Sequence, residues 1–251
     1  FYCFSVGWAQ TVPPCTLEIT DAETFARDWT VIDVNSDVSA NTWAYNDGNA
    51  MYMQDKSNAA DDWLIAPAVT LEAGKAYKVS AYVKHSSTFG SDKQKIELKI
   101  GTAPTVEGLT TRLVYDESFQ SRLFVEKSGT FSPAESGVFY VGLRCYSESY
   151  NGDLYFQKIV IEEAPVYPAQ ITDLSIVAGE RGAMSATLSW TWPSSDHLGG
   201  ALSNLLGAKI YRGTDLVATL DTATVGGKAG WIDSSIETAG NYTYKVVAYN
   251  T

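Results

Sequence analysis

Histidine, cysteine and basic residues are scarce in this 251-residue chain, and each shortage excludes a class of function. The two histidines, His85 and His197, lie far apart, and none of the three cysteines forms a Cys-x-x-Cys pair. A zinc site, dithiol chemistry or a histidine-based triad therefore has no support. The 18 basic residues stand against 29 acidic ones, a formal net charge of −11. Since phosphate binding needs clustered Lys and Arg, nucleic acid is excluded as a partner.

Long apolar runs are also lacking, because none approaches the roughly 20 residues of a membrane-spanning helix. We therefore expect no membrane insertion. Phe1 to Ala9 is apolar with small residues at Gly7 and Ala9, and this spacing resembles the end of a secretory signal peptide. An ordinary N-terminal strand is the alternative. We predict that residues 1–10 are a signal-peptide remnant and that the protein is secreted or lies on the outer cell surface.

With only Cys3, Cys15 and Cys145 available, disulfides do not hold the fold together. Cys15 and Cys145 can pair if their strands are neighbours. Two free buried thiols are an equally good interpretation. The sequence leaves this choice open.

Alternation of polar and apolar residues with period two is what the chain has in abundance. It occurs at 77–83, 95–100 and 139–145, separated by turn signals such as Asn46-Asp47-Gly48. Strands with one buried and one wet face are typical of antiparallel sheets. A single short helix is predicted at 22–28. The fold class is therefore all-β, a sandwich or barrel.

A composition break at Pro165 and Pro168 predicts a short stiff linker, with a domain boundary near residue 166. Beyond it, the strand signals are spaced as in an immunoglobulin-type sandwich. These predicted strands cover 171–177, 186–192, 208–211, 216–220 and 242–248.

The second half resembles a fibronectin type III domain. The resemblance depends on Ile171-Thr172-Asp173-Leu174, Leu188-Ser189-Trp190, Gly207 to Arg212 and Asn241 to Val246. It implies that Trp190 fills the core and that Tyr242 is the corner tyrosine of the family. The chain stops at Thr251 before a seventh strand, so we expect a domain at 166–251 that lacks its last strand, with further domains following.

The first half resembles the cleaved-adhesin family, known from haemagglutinin regions of secreted cysteine proteases of Bacteroidetes. The matching residues are Trp29 to Asp37, Trp43, Asp61 to Val69 and a closing strand from Leu154 to Ile161. The resemblance implies a jelly-roll β-sandwich over residues 11–165. It also implies a surface module that binds carbohydrate or a host extracellular protein.

Asp33, Asn35 and Asp37 form the clearest candidate metal site. Side chains two apart in a tight loop can converge on a hard cation, and the family resemblance implies a structural calcium near this loop. The closing strand departs from the family, because Gln157 and Lys158 stand where an acidic pair is usual. The alternative is that these residues form Asx turns with their own backbone.

No sequence motif indicates catalysis. Asp61 and Asp62 are adjacent, so a strand would point them to opposite faces, and we interpret them as the end of a loop before a buried strand containing Trp63. No GxSxG, HExxH or P-loop pattern occurs. We therefore predict that the chain is not an enzyme.

Aromatic residues in loops or on polar strand faces are the candidate ligand-binding residues, since exposed rings beside hydrogen-bonding groups suit a sugar or a protein partner. They are Trp43, Tyr45, Tyr140, Arg144, Tyr146 and Tyr150. The predicted function is non-catalytic binding, with the second domain as a spacer. The alternatives are an accessory region of a secreted protease or glycoside hydrolase whose catalytic domain lies elsewhere, and a purely structural stalk.

Overall fold

A computed structural model describes residues 11–36, 41–53, 57–87, 91–202 and 204–250. The chain divides into two units, residues 1–164 and 165–251, and each is described by itself. The predicted signal-peptide remnant at 1–10, which includes Cys3, lies outside the described residues. No helix among the described residues is long and apolar enough to cross a membrane.

The first unit is an antiparallel β-sandwich with one short helix. Its elements are β1 (Cys15–Glu18), α1 (Ala22–Asp28), β2 (Thr30–Asp33), β3 (Trp43–Asn46), β4 (Asn49–Tyr52), β5 (Asp62–Ile65), β6 (Val69–Leu71), β7 (Ala76–His85), β8 (Gln94–Gly101), β9 (Thr111–Phe119), β10 (Val125–Phe131), β11 (Gly137–Cys145) and β12 (Leu154–Ala164). The predicted helix is present, and so are the strands predicted at 77–83, 95–100, 139–145 and 154–161 and the buried strand that contains Trp63. The all-β prediction is confirmed.

Two sheets form this sandwich. The front sheet has the order β2-β5-β11-β8-β9, with β6 also paired to β11. The back sheet has the order β10-β7-β12-β4-β3, with β1 also paired to β12. Alternate residues of both sheets point into one shared core, which includes Leu64, Leu98 and Leu143 from the front and Val79, Val83 and Phe156 from the back. Sequence neighbours often lie in opposite sheets, as expected for a jelly roll.

Local sequence explains several element boundaries. Asp21 caps α1 by accepting a hydrogen bond from the Thr24 amide at 2.7 Å. Asp47 and Gly48 both have positive φ, 45° and 76°, which is the backbone of a type I′ hairpin between β3 and β4. The predicted turn at Asn46-Asp47-Gly48 is therefore confirmed, and the Asp-Gly pair is what its geometry requires.

A β-bulge at Gln157 interrupts the pairing of β12 with β7. Before it, Leu154 and Phe156 point into the core, and after it Ile159 and Ile161 do so. A regular strand would send residues three apart to opposite faces. The extra residue instead leaves Tyr155 and Lys158 on the same outer face, because a bulge re-aims the side chains that follow it.

The second unit contains two three-stranded antiparallel sheets among its described residues. Its strands are β13 (Ser175–Ala178), β14 (Ala186–Thr191), β15 (Gly207–Arg212), β16 (Asp215–Leu220), β17 (Lys228–Asp233) and β18 (Tyr244–Tyr249). The sheet orders are β13-β14-β17 and β16-β15-β18. Trp190 is buried in the core between them, as predicted. The fibronectin type III assignment and its missing strand stay predictions.

Two predicted features of this unit need comment. The first strand was predicted at 171–177, but β13 begins at Ser175, so residues 171–174 are wrongly assigned to it. The side chains of Ile171 and Leu174 nevertheless pack against the core, which explains the apolar pattern. The Tyr242 hydroxyl donates a hydrogen bond to the carbonyl of Thr238 at 2.8 Å, the contact that a corner tyrosine makes.

Cys15 and Cys145 are free thiols in opposite sheets. The Cys145 thiol donates to Gln94 Oε1 at 3.2 Å, and burial raises its pKa to about 12. It is therefore protonated and inert at neutral pH. His85, which lies far from His197 in the sequence, is the buried last residue of β7.

Candidate functional site

The outer face of the front sheet holds three of the predicted ligand-binding residues, Tyr140, Arg144 and Tyr146. Strand register aligns one side chain from each of five strands in a row across this face. In order from β2 to β9 they are Ile32, Trp63, Arg144, Glu97 and Tyr115.

Part of this face is covered by residues 102–110, which connect β8 to β9. Leu109 lies buried on Gly142, where a Cβ atom would overlap it. A Cβ atom at Gly101 would likewise collide with the backbone of Gly108. These two glycines are required by close approach of the connection to the sheet. Leu109 thus joins Trp63 and Ile65 in a second, smaller core outside the sandwich.

The rest of the row is a stack of cations and rings. Arg144 donates two hydrogen bonds to Asp61, from Nε at 2.7 Å and from Nη2 at 2.8 Å, and these raise the pKa of Arg144. Its guanidinium lies 5.7 Å from the Trp63 ring centroid and 5.0 Å from that of Tyr146. Tyr146 in turn stacks on Tyr115. The ring faces on this side are therefore already occupied by neighbours within the protein.

The carboxylate of Glu97 lies among three cationic side chains on this face. It is nearly buried and lies 3.6 Å from Lys99, 3.8 Å from Arg112 and 3.6 Å from Arg144. Lys99 and Arg112 also lie over the rings of Trp63 and Tyr115. A carboxylate surrounded by three cations is paired within the protein, and removing one partner would leave a nearly buried charge less well compensated. The arrangement is structural, with little room for a ligand.

The structure therefore corrects several sequence interpretations. The face carrying Tyr140, Arg144 and Tyr146 was expected to be wet, but Tyr140 packs against the outer core and the other two belong to the stack. Trp43 was expected to be an exposed ring, yet it is 2% exposed and its Nε1 donates to the Asp62 carbonyl at 3.2 Å. Tyr45 packs against the main core from the back sheet. The candidates thus lie on both sheets, and their role in ligand binding stays a prediction.

Tyr150 is the one candidate that is largely exposed, at 63%, with a positive φ of 64°. Asp61 is the last loop residue before β5, as predicted, and is the partner of Arg144, whereas Asp62 is already a buried strand residue. Trp63 packs outside the sandwich, while its neighbour Leu64 packs inside it. The segment from Asp61 to Val69 therefore contributes side chains to both cores.

The predicted calcium residues lie in the segment after β2. Asp33 Oδ1 accepts a hydrogen bond from the Ser36 amide at 2.6 Å, a bond to its own backbone as in the alternative, although one residue further on than in a standard Asx turn. Asn35 donates to the carbonyl of Ala59 at 2.6 Å and lines a cavity of about 560 Å³ with Asp61. Asp37 lies outside the described residues. Asp33 and Asn35 alone supply too few oxygens for calcium, and calcium binding stays a prediction.

The outer face of the back sheet presents a different set of aromatic residues. Lys84 on β7 pairs across the ladder with Tyr155 on β12, and Phe124 directly precedes β10 on the other side of β7. The Lys84 ammonium lies 4.6 Å from the Tyr155 ring centroid and 4.9 Å from that of Phe124. It is thus held between two rings at the surface.

A second pair lies next to it on the same two strands. Lys158 pairs with Tyr82, and its ammonium lies 5.1 Å from the centroid of that ring. The bulge at Gln157 places Lys158 and Tyr155 on one face, so rings and ammonium groups alternate there along and across the two strands. We call this set the tyrosine–lysine surface: Tyr82, Lys84, Phe124, Tyr155 and Lys158.

Sequence reasoning missed this surface. Tyr82 and Lys84 alternate with the apolar stripe of β7, so a period-two pattern could have placed both on the polar face. Nothing in the sequence announces the bulge that brings Lys158 beside them. All five side chains are half-buried, and burial together with Asp153 raises the pKa of Tyr155. Rings beside hydrogen-bond donors can bind a flat, hydroxylated ligand.

Comparison with known proteins gives similarity of structure alone. No protein-family model matches the chain, and no curated protein matches it. The K1 cleaved adhesin domain of Lys-gingipain from Porphyromonas gingivalis W83 is 15% identical, with a TM-score of 0.43, and the match covers 60% of this chain and 99% of that domain.

A second similar structure is the CBM22-1 xylan-binding domain from Paenibacillus barcinonensis Xyn10C. It is 14% identical, with a TM-score of 0.36, over 62% of this chain and 97% of that domain. At these values, neither similarity assigns a family or a ligand to the chain.

Proposed function

We propose that the first unit is a non-catalytic, extracellular binding module that contacts carbohydrate through the tyrosine–lysine surface. The observation that carries the proposal is the pair of rings, Phe124 and Tyr155, between which the Lys84 ammonium lies on the outer face of the back sheet. Rings at a surface supply the apolar contact that sugar C–H groups need. The ammonium groups supply hydrogen-bond donors for hydroxyl or carboxyl oxygens.

The back sheet supports this proposal better than the front sheet does. On the front sheet, Leu109, Arg144 and neighbouring rings occupy the aromatic faces. On the back sheet, the partners of the rings are flexible lysine side chains. Moving a lysine off an exposed ring costs about 0.5–1 kcal/mol, which a ligand can offset.

The second unit is proposed to act as a spacer of the fibronectin type III kind that holds the binding module at a distance from the cell surface. Its two three-stranded sheets and Trp190 core support a rigid module. The acidic composition of the whole chain suits an exported, soluble protein.

Replacing Tyr155 or Tyr82 by alanine is expected to weaken glycan binding at least about tenfold, since a ring that anchors a ligand is worth more than about 1 kcal/mol. The measurement is a glycan array on the full chain, followed by calorimetric titration of the hits. Tyr115→Ala is the matched control, because it removes an exposed tyrosine from the front sheet.

Loss of binding in Tyr115→Ala but not in Tyr155→Ala would place the site on the front sheet and contradict the proposal. An array without any hit, together with capture of a host extracellular protein that Tyr155→Ala abolishes, would show a protein-binding surface instead.

Calcium binding after β2 is proposed as a separate structural feature. If it occurs, calcium should raise the melting temperature of the full chain and chelation should lower it. Asp33→Asn should abolish this difference, because it keeps an oxygen for the Ser36 amide but removes the carboxylate charge. A melting temperature that chelation leaves unchanged would show that the bond to the Ser36 amide is the whole role of Asp33.

A further inference from the structure

We infer that the ligand of the tyrosine–lysine surface is an acidic sugar, with a ring carboxylate paired to the Lys84 ammonium. The inference rests on the proposed function and names its ligand class. Lys84 is the residue that distinguishes this surface from a neutral stacking platform.

Lys84 differs from the other cations on its sheet face in having no carboxylate partner. Among the described residues, no Asp or Glu oxygen lies within 4.0 Å of its Nζ. The ring centroids of Phe124 and Tyr155 lie 4.9 and 4.6 Å from it. Lys78 forms an ion pair with Glu126, and Lys158 lies 4.0 Å from Glu18. Among the described residues, this face therefore offers one cation without a carboxylate partner, and it lies between two rings.

This position restricts how the ammonium is solvated. Phe124 and Tyr155 occupy two sides of it, so water reaches it from fewer directions than on a free lysine. A cation that has already lost part of its hydration loses less on pairing with a carboxylate. The site is thus prepared for one anionic group next to an apolar contact.

The ring and charge pattern favours a sugar acid over a simple anion. A hexuronate has an apolar C–H face and a carboxylate on the same ring, which matches a tyrosine ring beside an ammonium. The second pair, Tyr82 with Lys158, repeats this arrangement one step along the strands. An oligosaccharide with a uronate carboxylate on Lys84 and a neighbouring sugar ring on Tyr82 is therefore the class of ligand that fits this surface.

The net charge of −11 sets the expected salt dependence. The protein as a whole repels a polyanion, so long-range attraction does not explain binding, and affinity must come from contacts at the surface. Since one carboxylate pairs with one ammonium, raising salt from low to physiological strength should weaken binding only several-fold, and not by the orders of magnitude seen with phosphate polymers.

The test compares acidic oligosaccharides with their methyl esters, which keep the sugar ring and remove the charge. The probes are oligogalacturonate, oligomannuronate and oligoglucuronate, each titrated calorimetrically against the full chain. The variants are Lys84→Met, which keeps the length of the side chain, and Tyr155→Ala. The matched control is Lys209→Met, since Lys209 also lies over a tyrosine ring, 5.8 Å from the centroid of Tyr249, but in the second unit.

We expect at least one acid to bind about tenfold tighter than its ester, and Lys84→Met to remove that difference while Lys209→Met retains it. Equal binding of acid and ester, lost together in Tyr155→Ala, would overturn the acidic ligand and leave the proposed function standing. Binding of neutral glycans alone on the array would have the same meaning. If neither acids nor neutral glycans bind, both the inference and the carbohydrate-binding function are wrong.

Discussion

Replacing Trp63 by alanine is expected to lower the free energy of unfolding of the first unit by about 3–5 kcal/mol. Trp63 is 1% exposed and is the largest side chain of the outer core that it shares with Ile65 and Leu109. Its removal leaves a cavity that Leu109 cannot fill without moving the connection between β8 and β9. It also removes the ring on which the guanidinium of Arg144 lies.

Denaturant unfolding of the full chain, followed by far-ultraviolet circular dichroism, measures this effect. Trp63→Phe is the matched control, since it keeps an aromatic ring and should lose about half as much or less. A second control is Trp190→Phe in the other unit, which should move a different unfolding transition. If Trp63→Ala costs under about 1 kcal/mol, the outer core does not stabilise the front sheet as described.

The strands of the first unit were predictable because their side chains alternate. Ile96, Leu98 and Ile100 were expected on one face, and all three are buried in the shared core. The Asp47-Gly48 turn was predictable because few residue pairs accept positive φ at both positions. Both signals are local, so the sequence alone expresses them.

The outer face of the front sheet was not predictable from the same signals. Period two shows that Arg144 lies opposite the core, and a face opposite a core is usually wet. This face is covered by residues 102–110, which can approach the sheet because Gly101 and Gly142 have no Cβ atom. The role of these glycines is apparent only in the folded chain. Trp43 was misjudged for a related reason, since its position near a turn says nothing about the carbonyl of Asp62 that its indole reaches.

The tyrosine–lysine surface was also not predictable from the sequence. Its two ring–ammonium pairs depend on strand pairing between β7 and β12, which are distant in sequence. A one-residue bulge decides whether Lys158 joins Tyr155, and a register change of one residue reverses every side chain beyond it. The choice of site therefore required the three-dimensional register.

Lowering the pH is expected to remove about 2 kcal/mol of stability from the second unit through a single carboxylate, Asp233. Its side chain is fully buried. It accepts hydrogen bonds from Arg212 Nη1 at 2.8 Å, from the Tyr244 hydroxyl at 2.7 Å and from the Ser235 hydroxyl at 2.7 Å. Burial by itself raises the pKa of Asp233, but these donors outweigh it and lower the pKa to about 2.

The sign of the pH dependence follows from the lowered pKa. Above pH about 4 the carboxylate is ionised in both folded and unfolded chains, and the full contribution of about 2 kcal/mol is present. As the pH falls below about 4, the unfolded chain takes up a proton before the folded one does, so stability decreases. The contribution is lost once the pH has passed through the folded pKa near 2.

Asp233→Ala is expected to cost about 3 kcal/mol at neutral pH, because it leaves the Arg212 charge without its carboxylate and the partly buried Tyr244 without its acceptor. The cost is smaller than for a fully enclosed pair, since 21% of the Arg212 side chain remains exposed. Asp173→Ala is the matched control in the same unit. Its carboxylate is half exposed, accepts a hydrogen bond from the Thr191 amide at 2.9 Å and lies 3.6 Å from Lys228, so its loss should cost about 1 kcal/mol.

Unfolding curves of the full chain and both variants, taken between pH 7 and pH 2, distinguish the contribution of the Asp233 charge from that of its side-chain volume. The difference between the native chain and Asp233→Ala should shrink as the pH falls below about 4, because protonation removes from the native chain what the substitution has already removed. The difference for Asp173→Ala should stay small throughout. A difference for Asp233→Ala that is the same at pH 7 and pH 2 would mean that the side chain stabilises the unit by its volume, and that its charge contributes nothing.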